Sequence, residues 1–494
     1  MRLNKQTLRG DIIGGITVAI VALSLALAFG MHSMPGDPNA AAAGLYGAIF
    51  CGIFATLFGA THGLINGPTA AMIVVLANAY NNAGYHGFIM SMLLAGALQI
   101  LLGLLKLGKY VHYIPKPVVV GFTNGIAITI FTGQFTDFST SPILALVVIS
   151  IMFIPIIAEW VNHFKTNKTC DKIKGFFKVI PASLIGLIAA VAVAIFLIPG
   201  AEVITDRAVI PTGFPKFLMP VFTNLNWSVI LSSSVSLCLL ASIESLLSAV
   251  IVDDMLDQKS NPNRELVGQG IGNMIAPLFG GLIGTGAIVR SAVNVNNGGK
   301  TKLSGIIHAL IILLIVVCFA WITAYIPMAA LAGILMVTAF KMMEFDSFLK
   351  IGKVPVADSL VMLVTMIVTV LEDLIVGVAC GTVLALVFTV IRMMNAKKKA
   401  QPDEKTASLF FGNVKKICEQ LEQETEAGVY FDMSKFSFVD ETAVESLIAL
   451  KNNFEKKGQK LILYGANEEI TKVFEKLKHS QDFLYDSIEA AAAK

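Results

Sequence analysis

From Asp11 to about Met394 the chain is apolar almost without interruption, broken only by short polar turns. A run of that length does not suit one soluble core, because cores stop growing at roughly 250–300 residues and their surface helices keep a polar face. It suits a chain that crosses a bilayer many times, at ~20 apolar residues per helical span. The composition agrees: of 494 residues 55% are hydrophobic and 14% charged, where soluble domains average about 25% charged. An ordinary soluble enzyme and a disordered regulator are thereby excluded. Net charge is +3, from 37 Lys and Arg against 34 Asp and Glu, too balanced for a nucleic-acid binder. The first apolar segment runs from Asp11 past Phe29 with no small-residue cleavage site after it, so it reads as a retained membrane helix, not a signal peptide. Abundant glycine, 41 residues, suits close helix packing in lipid. The six cysteines (Cys51, Cys170, Cys238, Cys318, Cys380 and Cys418) form no CxxC pair and read as isolated thiols.

After Asn395 the composition changes. Ala396 to Lys405 is a charged linker, and the remainder has ordinary charge with alternating strand and helix patterns. The predicted division is a transmembrane domain over 1–395 and a small cytoplasmic α/β domain over 396–494. Fourteen candidate spans start near residues 11, 43, 68, 86, 118, 141, 178, 228, 265, 287, 303, 328, 355 and 374. Two are too short to cross alone, Pro68–Tyr80 and Ala287–Asn297, the third and the tenth in order. Each follows a Gly-rich approach, Gly63 to Pro68 and Gly280 to Gly286. Broken segments at matching places in two halves point to an inverted-repeat transporter with its site where the broken helices meet. Loops on the N-terminal side of the membrane carry eighteen Lys or Arg, from Arg2, Lys5 and Arg9 to Lys341, Lys350 and Lys353, and the opposite loops two, Arg207 and Lys216. The positive-inside rule then places both chain ends in the cytoplasm, with the chain crossing the cell's inner (plasma) membrane.

Three features of the apolar part could carry chemistry. Glu244 lies mid-span within Leu240 to Ser248, where a carboxylate costs at least ~3 kcal/mol. Its readings are a proton acceptor, a cation holder or a partner of Arg290, against a protonated helix–helix hydrogen bond. Arg290 stands a few residues into the short helix Ala287–Asn297. Two helix N-termini aimed at one spot, with an Arg beside them, make an anion site without a metal. Thr69, Ala70 and Ala71 would supply backbone donors from one helix and Ala287, Ile288 and Val289 from the other, with the Thr285 and Ser291 hydroxyls beside them. The bland reading of Arg290 is a side chain snorkelling to the membrane surface. Gly268-Gln269-Gly270-Ile271-Gly272-Asn273 follows no strand, so it reads as a tight helix contact, not a dinucleotide loop. Asp253 and Asp254 read as solvated, Glu372-Asp373 as a turn, and His62, His112 and His308 as single interfacial histidines. No nucleophilic triad, Walker loop, metal spacing or cofactor motif is present, so the chain is predicted not to be an enzyme and to need only a coupling ion.

At these residues the sequence resembles the sulfate permease family of anion transporters. The resemblance rests on Ser242 to Leu247, on Glu265 to Asn273 followed by Phe279-Gly280-Gly281, and on Arg290-Ser291, in that order and spacing. The tail from Phe431-Asp432-Met433-Ser434 through Val439-Asp440-Glu441-Thr442 resembles the start of a STAS domain. The resemblance implies a 7+7 inverted repeat split into core and gate domains, an anion between the third and tenth helices, elevator-like movement and homodimers. It places Glu244 at the position that is Glu in proton-coupled members and Asp in sodium-bicarbonate members, and Arg290 at the basic residue of the anion site. The resemblance points to bacterial members that move C4-dicarboxylates with protons. The first span departs from the pattern, with Ser24 and Leu25 where Pro and a polar residue are usual. Thr442 stands where a phosphorylated Ser is found in anti-sigma antagonists, and Asp440 reads as a helix N-cap. The expected function is proton-coupled symport of a C4-dicarboxylate, bicarbonate or sulfate-class anion. The alternatives are sodium-bicarbonate symport with Glu244 and Ser248 near the cation, an uncoupled anion channel, and a membrane-anchored signalling platform. Expected partners are the anion, membrane lipid, a second copy of the chain and a cytoplasmic protein at the STAS-like domain.

Overall fold

The computed structural model describes residues 5–109, 115–164, 168–179, 182–209, 213–223, 225–349, 351, 354–372, 374–399, 407–422, 428–456, 458–476 and 484–485. The expectations for Arg2, His112, Lys165, Lys350, Lys353, Asp373, the linker residues 400–405 and the Cys170 side chain fall outside these. Two compact units are present, residues 1–111 with 127–341 and residues 112–126 with 342–494.

In chain order the elements are α1 (Lys5–Ser33), α2 (Ala40–Phe58), β1 (Asn66–Gly67), α3 (Met72–Leu104), α4 (Lys116–Gly133), α5 (Phe135–Thr140), α6 (Pro142–Phe164), α7 (Lys168–Val179), α8 (Ala182–Leu197) and α9 (Ile204–Arg207). There follow α10 (Trp227–Leu256), α11 (Pro262–Leu278), β2 (Thr285–Gly286), α12 (Ile288–Asn296), α13 (Lys302–Cys318), α14 (Met328–Met342), α15 (Phe345–Leu349), α16 (Val356–Leu371) and α17 (Leu374–Lys399). The C-terminal part contains β3 (Ala407–Leu409), α18 (Val414–Leu421), β4 (Gly428–Asp432), β5 (Phe436–Val439), α19 (Glu441–Lys456), β6 (Lys460–Tyr464), α20 (Glu468–Lys476) and β7 (Leu484–Tyr485).

Among the described residues six helical segments are long and apolar enough to cross a bilayer alone: α1, α2, α3, α4 continuing through α5, α6 and α10. The outer faces are apolar. Ile143, Leu146, Ile154 and Ile157 form an exposed stripe on α6, and Phe196 at the end of α8 is 81% exposed. Such a surface is stable in lipid and would aggregate in water. The spans predicted near residues 68 and 86 are one element, α3, interrupted at Gly84 by backbone at φ 66° and ψ 178°. The short helix expected over Pro68–Tyr80 therefore begins at Met72 and runs to that break. The polar linker expected from Ala396 starts as the last turn of α17, which continues to Lys399.

In the first unit α11 packs between α2 and α3, and α1 packs on α2 and α13. The glycines of Gly268-Gln269-Gly270-Ile271-Gly272 make this possible. A Cβ on Gly268 would lie 2.1 Å from Gly59 N, and one on Gly270 2.6 Å from Gly96 O, so the tight-contact reading holds. Two buried carboxylates serve as caps. Glu265 accepts from Ala60 N (2.7 Å), Thr61 N (2.8 Å) and the Thr61 hydroxyl (2.9 Å). Asp11 accepts from Lys300 N (2.7 Å), Thr301 N (3.0 Å) and the Thr301 hydroxyl (2.5 Å). Glu244 is thus not the single acid inside the helical part. Asp253, expected to be solvated, is half-buried and holds Ser260 N and its hydroxyl at 2.7 Å each.

The second unit holds a parallel pair, β3 with β5, and a parallel set, β4-β6-β7. Leu409, Val429, Met433, Leu447, Leu463 and Phe474 form its core. Asp440 caps α19, accepting Ala443 N at 2.7 Å, and its other oxygen accepts Phe411 N at 2.9 Å. The N-cap reading of Asp440 is correct. The Thr442 hydroxyl accepts the backbone N–H of Lys116 at 3.1 Å.

Candidate functional site

The centre of the first unit is a crossing of two very short strands. Asn66 pairs with Gly286 and Gly67 with Thr285, antiparallel. The approach is close enough that a Cβ on Gly284 would lie 2.3 Å from Gly67 C, and Gly67 itself has φ 152°. Only glycine tolerates both conditions. Each strand leads into a helix start, β1 through residues 68–71 into α3 and β2 through Ala287 into α12. Two helix starts are therefore brought to one crossing.

Polar groups from the neighbouring helices fix it. Asn273 of α11 donates to Gly284 O at 2.9 Å and accepts Gly284 N at 2.8 Å. Gln269 adds a donor to the same carbonyl at 2.9 Å, and Asn273 also donates to Gln99 of α3 at 2.7 Å. From α10, the Ser245 hydroxyl accepts Gly286 N at 3.1 Å and Ser248 donates to Gly286 O at 2.5 Å.

Glu244 sits on the same side of α10. Its Oε2 accepts the Thr69 hydroxyl at 2.8 Å, and Thr69 in turn accepts from the Thr285 hydroxyl at 3.3 Å. The two helix starts and the carboxylate are thus joined by two hydroxyls. Glu244 is only half-buried although its neighbours Ser245 and Ser248 are fully buried. Arg290 is 3% exposed, which removes the snorkelling reading. Its Nη2 donates to Pro68 O at 2.7 Å and Gly67 O at 3.2 Å, while Nη1 is buried with no hydrogen-bond partner among the described residues. The guanidinium clamps the chain at Gly67 and Pro68.

Thr69, Thr285, Arg290 and Glu244 are thereby brought together, with Ala70 and Ala71 in the turn that starts α3 and Ile288 at the first position of α12. One expectation needs correction. The Ala287 N–H is donated to Ile65 O at 2.9 Å, so it serves the crossing and not a ligand. The Ser291 oxygen accepts Ile65 N at 2.9 Å, which leaves its own proton to donate. The Ser248 hydroxyl donates to Gly286 O, which leaves its oxygen lone pairs to accept. His308, expected at an interface, is fully buried in α13, with Nδ1 near Gly52 and neither ring nitrogen partnered among the described residues. Ser24 donates to Val21 O at 3.2 Å and is buried. Sequence reading missed Gln99, Gln269 and Asn273; amides inside apolar spans were the available signal.

The arrangement has a chemical consequence. An anion at the crossing gains from Arg290 Nη1 and the helix starts. An ionised Glu244 repels the same anion, so a cation that neutralises Glu244 and the anion favour one another's binding.

Comparison with known proteins places this geometry in a family. The sulfate permease family model matches residues 8–143 and 137–365, and the STAS domain model matches 405–491. The bicarbonate transporter BicA of Picosynechococcus sp. (strain ATCC 27264 / PCC 7002 / PR-6) is 34% identical over 81% of this chain and 73% of its own length. BicA of Synechocystis sp. (strain ATCC 27184 / PCC 6803 / Kazusa) is 32% identical over 97% and 92%. YvdB of Bacillus subtilis (strain 168), whose sulfate-transporter name is provisional, is 33% identical over 94% and 92%. Among solved structures, the transmembrane domain of a cyanobacterial BicA superposes with TM-score 0.66 at 32% identity, covering 76% of this chain and 99% of that one. SLC26A9 shares the fold, with TM-score 0.67 at 16% identity, 98% of this chain and 90% of that one. The chain belongs to the sulfate permease family, as a membrane anion transporter and not an enzyme, with a C-terminal STAS domain.

Proposed function

We propose that the chain is a symporter that couples a small anion to a proton through Glu244, with bicarbonate and sulfate as the first anions to test. The observation that carries this reading is the hydroxyl-linked placement of Glu244 against the two helix starts and Arg290. Neutralising Glu244 removes a negative charge that would repel the anion, and a proton does so with little change of shape. The oxygens of Thr69, Thr285 and Glu244 also suit a sodium ion, and two relatives are named bicarbonate transporters. Sodium-bicarbonate symport is therefore the second reading, and a C4-dicarboxylate remains in the test panel. The repeated order α2-β1-α3 and α11-β2-α12 supports an inverted repeat. The anion is carried by movement of the helices that hold the crossing, in a homodimer of the inner membrane with both chain ends in the cytoplasm.

The test is uptake of labelled bicarbonate, sulfate or dicarboxylate into proteoliposomes under an imposed inward proton or sodium gradient. Glu244→Gln resembles the protonated side chain, so it should keep anion exchange and lose accumulation driven by pH. Accumulation by Glu244→Gln equal to wild type rejects Glu244 as the coupling residue, and a response to sodium but not to pH puts the second reading first.

A further inference from the structure

A basic helix stands apart from the strand crossing. α6 and α8 pack together, and α7 joins them at the end where α6 finishes and α8 begins. Over Lys168–Val179, α7 carries Lys168, Lys172, Lys174 and Lys178 against a single acid, Asp171. At about 100° of turn per residue, Ile173, Phe176 and Phe177 share one side of the helix. The lysine positions border that side, Lys168 and Lys172 along one edge and Lys174 and Lys178 along the other. Asp171 falls on the opposite side, where its Oδ1 accepts the Asn162 side-chain N–H at 2.6 Å and ties α7 to the last turns of α6.

The backbone sets how this helix lies. The segment Asp171–Phe177 is bent by 77° from α8. α8 is apolar along its whole length, packs on α6, and exposes Ile188, Ile195 and Phe196, so it runs with the spans across the bilayer. A helix nearly at right angles to α8 lies in the plane of the membrane, at the level where α6 leaves it and α8 enters. Phe176 is 52% exposed and meets Phe177 edge to face, with ring centroids 5.4 Å apart. With four charges in twelve residues, α7 does not cross the bilayer itself. Exposed rings bordered by lysines fit the boundary between headgroups and acyl chains, where the rings enter hydrocarbon and the ammonium groups reach phosphate. Charge selects the lipid. A choline headgroup brings its own cation beside the phosphate, whereas an anionic headgroup leaves its charge for the lysines.

We propose that α7 is an interfacial helix that binds anionic phospholipid headgroups through Lys168, Lys172, Lys174 and Lys178, with Phe176 and Phe177 at the acyl boundary. The bound lipid holds the turn between α6 and α8 at the membrane surface. The site stands whether or not Glu244 couples transport.

The experiment is titration of the purified full-length protein in detergent with phosphatidylglycerol, bound lipid being counted by native mass spectrometry and phosphatidylcholine serving as reference. A lysine near an anionic surface gives roughly a fivefold gain in affinity. Lys172→Gln should therefore weaken phosphatidylglycerol binding about fivefold, and glutamine at all four lysines roughly a hundredfold or more, with phosphatidylcholine binding unchanged. Glycerol 3-phosphate at the same concentration should not displace the lipid, which separates a lipid surface from a site for free phosphate. A second measurement does not depend on the lysine variants. In nanodiscs containing phosphatidylglycerol, the emission that Phe176→Trp adds to wild type should be quenched by lipids brominated high on their acyl chains. Unchanged phosphatidylglycerol affinity in the four-lysine variant overturns the proposal and leaves the lysines to an acidic protein surface. Displacement by glycerol 3-phosphate, or added emission that brominated lipid does not quench, overturns it as well.

Discussion

Asn273→Ala is the substitution whose cost the structure defines best. The side chain makes four polar contacts inside the first unit: a donor to Gly284 O, an acceptor for Gly284 N, a donor to Gln99 Oε1 and a weak acceptor for the Cys51 thiol at 3.4 Å. Gly284 O keeps Gln269 as a donor, so its loss is small. Gly284 N and Gln99 Oε1 lose their partners and are buried. Interhelical hydrogen bonds in membrane proteins average only about 0.6 kcal/mol, so counting bonds gives a floor of about 2 kcal/mol. An orphaned buried group costs about 1–3 kcal/mol, so counting orphans gives about 2–6 kcal/mol. The two estimates meet near 2–4 kcal/mol, and β2, which carries Thr285, loses its anchor. The assay is thermal unfolding of the purified protein in parallel with anion uptake. The midpoint should fall by several degrees and uptake should fall with it. Asn273→Asp, which keeps the acceptor for Gly284 N, should lie between the two. A midpoint and an uptake rate both equal to wild type in Asn273→Ala would refute the claim that α11 holds the crossing in place.

Other consequences follow from single residues. Gly284→Ala sets a Cβ 2.3 Å from the Gly67 carbonyl carbon, where neither backbone can give. It should abolish transport while the protein still reaches the membrane, as surface labelling and uptake together would tell. Burial, joined by the nearby Asp358 carboxylate, pushes the Asp440 carboxyl up to about 7. The folded state then binds this proton more tightly than the unfolded chain, whose aspartate titrates near 3.9. Its contribution is present below the unfolded value and falls as pH rises from about 4 to 7. Amide exchange in β3 and α19, corrected for intrinsic rates, should show weaker protection at the upper end of that window. Protection that is unchanged across it rejects the assignment.

The sequence made the helical part and the crossing legible for physical reasons. Apolar length marks spans, and glycine clusters mark places where backbones touch, so Gly280 to Gly286 and Gly63 to Pro68 were found without partners being known. Glu244 and Arg290 stood out because charge inside an apolar span is rare. Their uses were not legible. Thr69 meets Glu244 across 175 residues of chain and Arg290 meets Pro68 across 222, and local pattern carries no such information. Ala287 was read as a ligand donor because it starts a helix, yet the returning chain at Ile65 takes its N–H, and the Ile65 N–H in turn goes to the Ser291 oxygen. The capping carboxylates Asp11 and Glu265 lie near span ends, where acids are ordinary, so burial alone sets them apart.

The central claim is that the anion is held at the strand crossing by Arg290 and the two helix starts. Its most direct test is anion binding to purified wild type and Arg290→Ala, read as the thermal shift on titration with bicarbonate, sulfate and C4-dicarboxylate. A charge-assisted contact is worth about 1.5–3 kcal/mol, so affinity should fall roughly tenfold or more for whichever anion wild type binds. Arg290→Ala binding every such anion as wild type does would contradict the account.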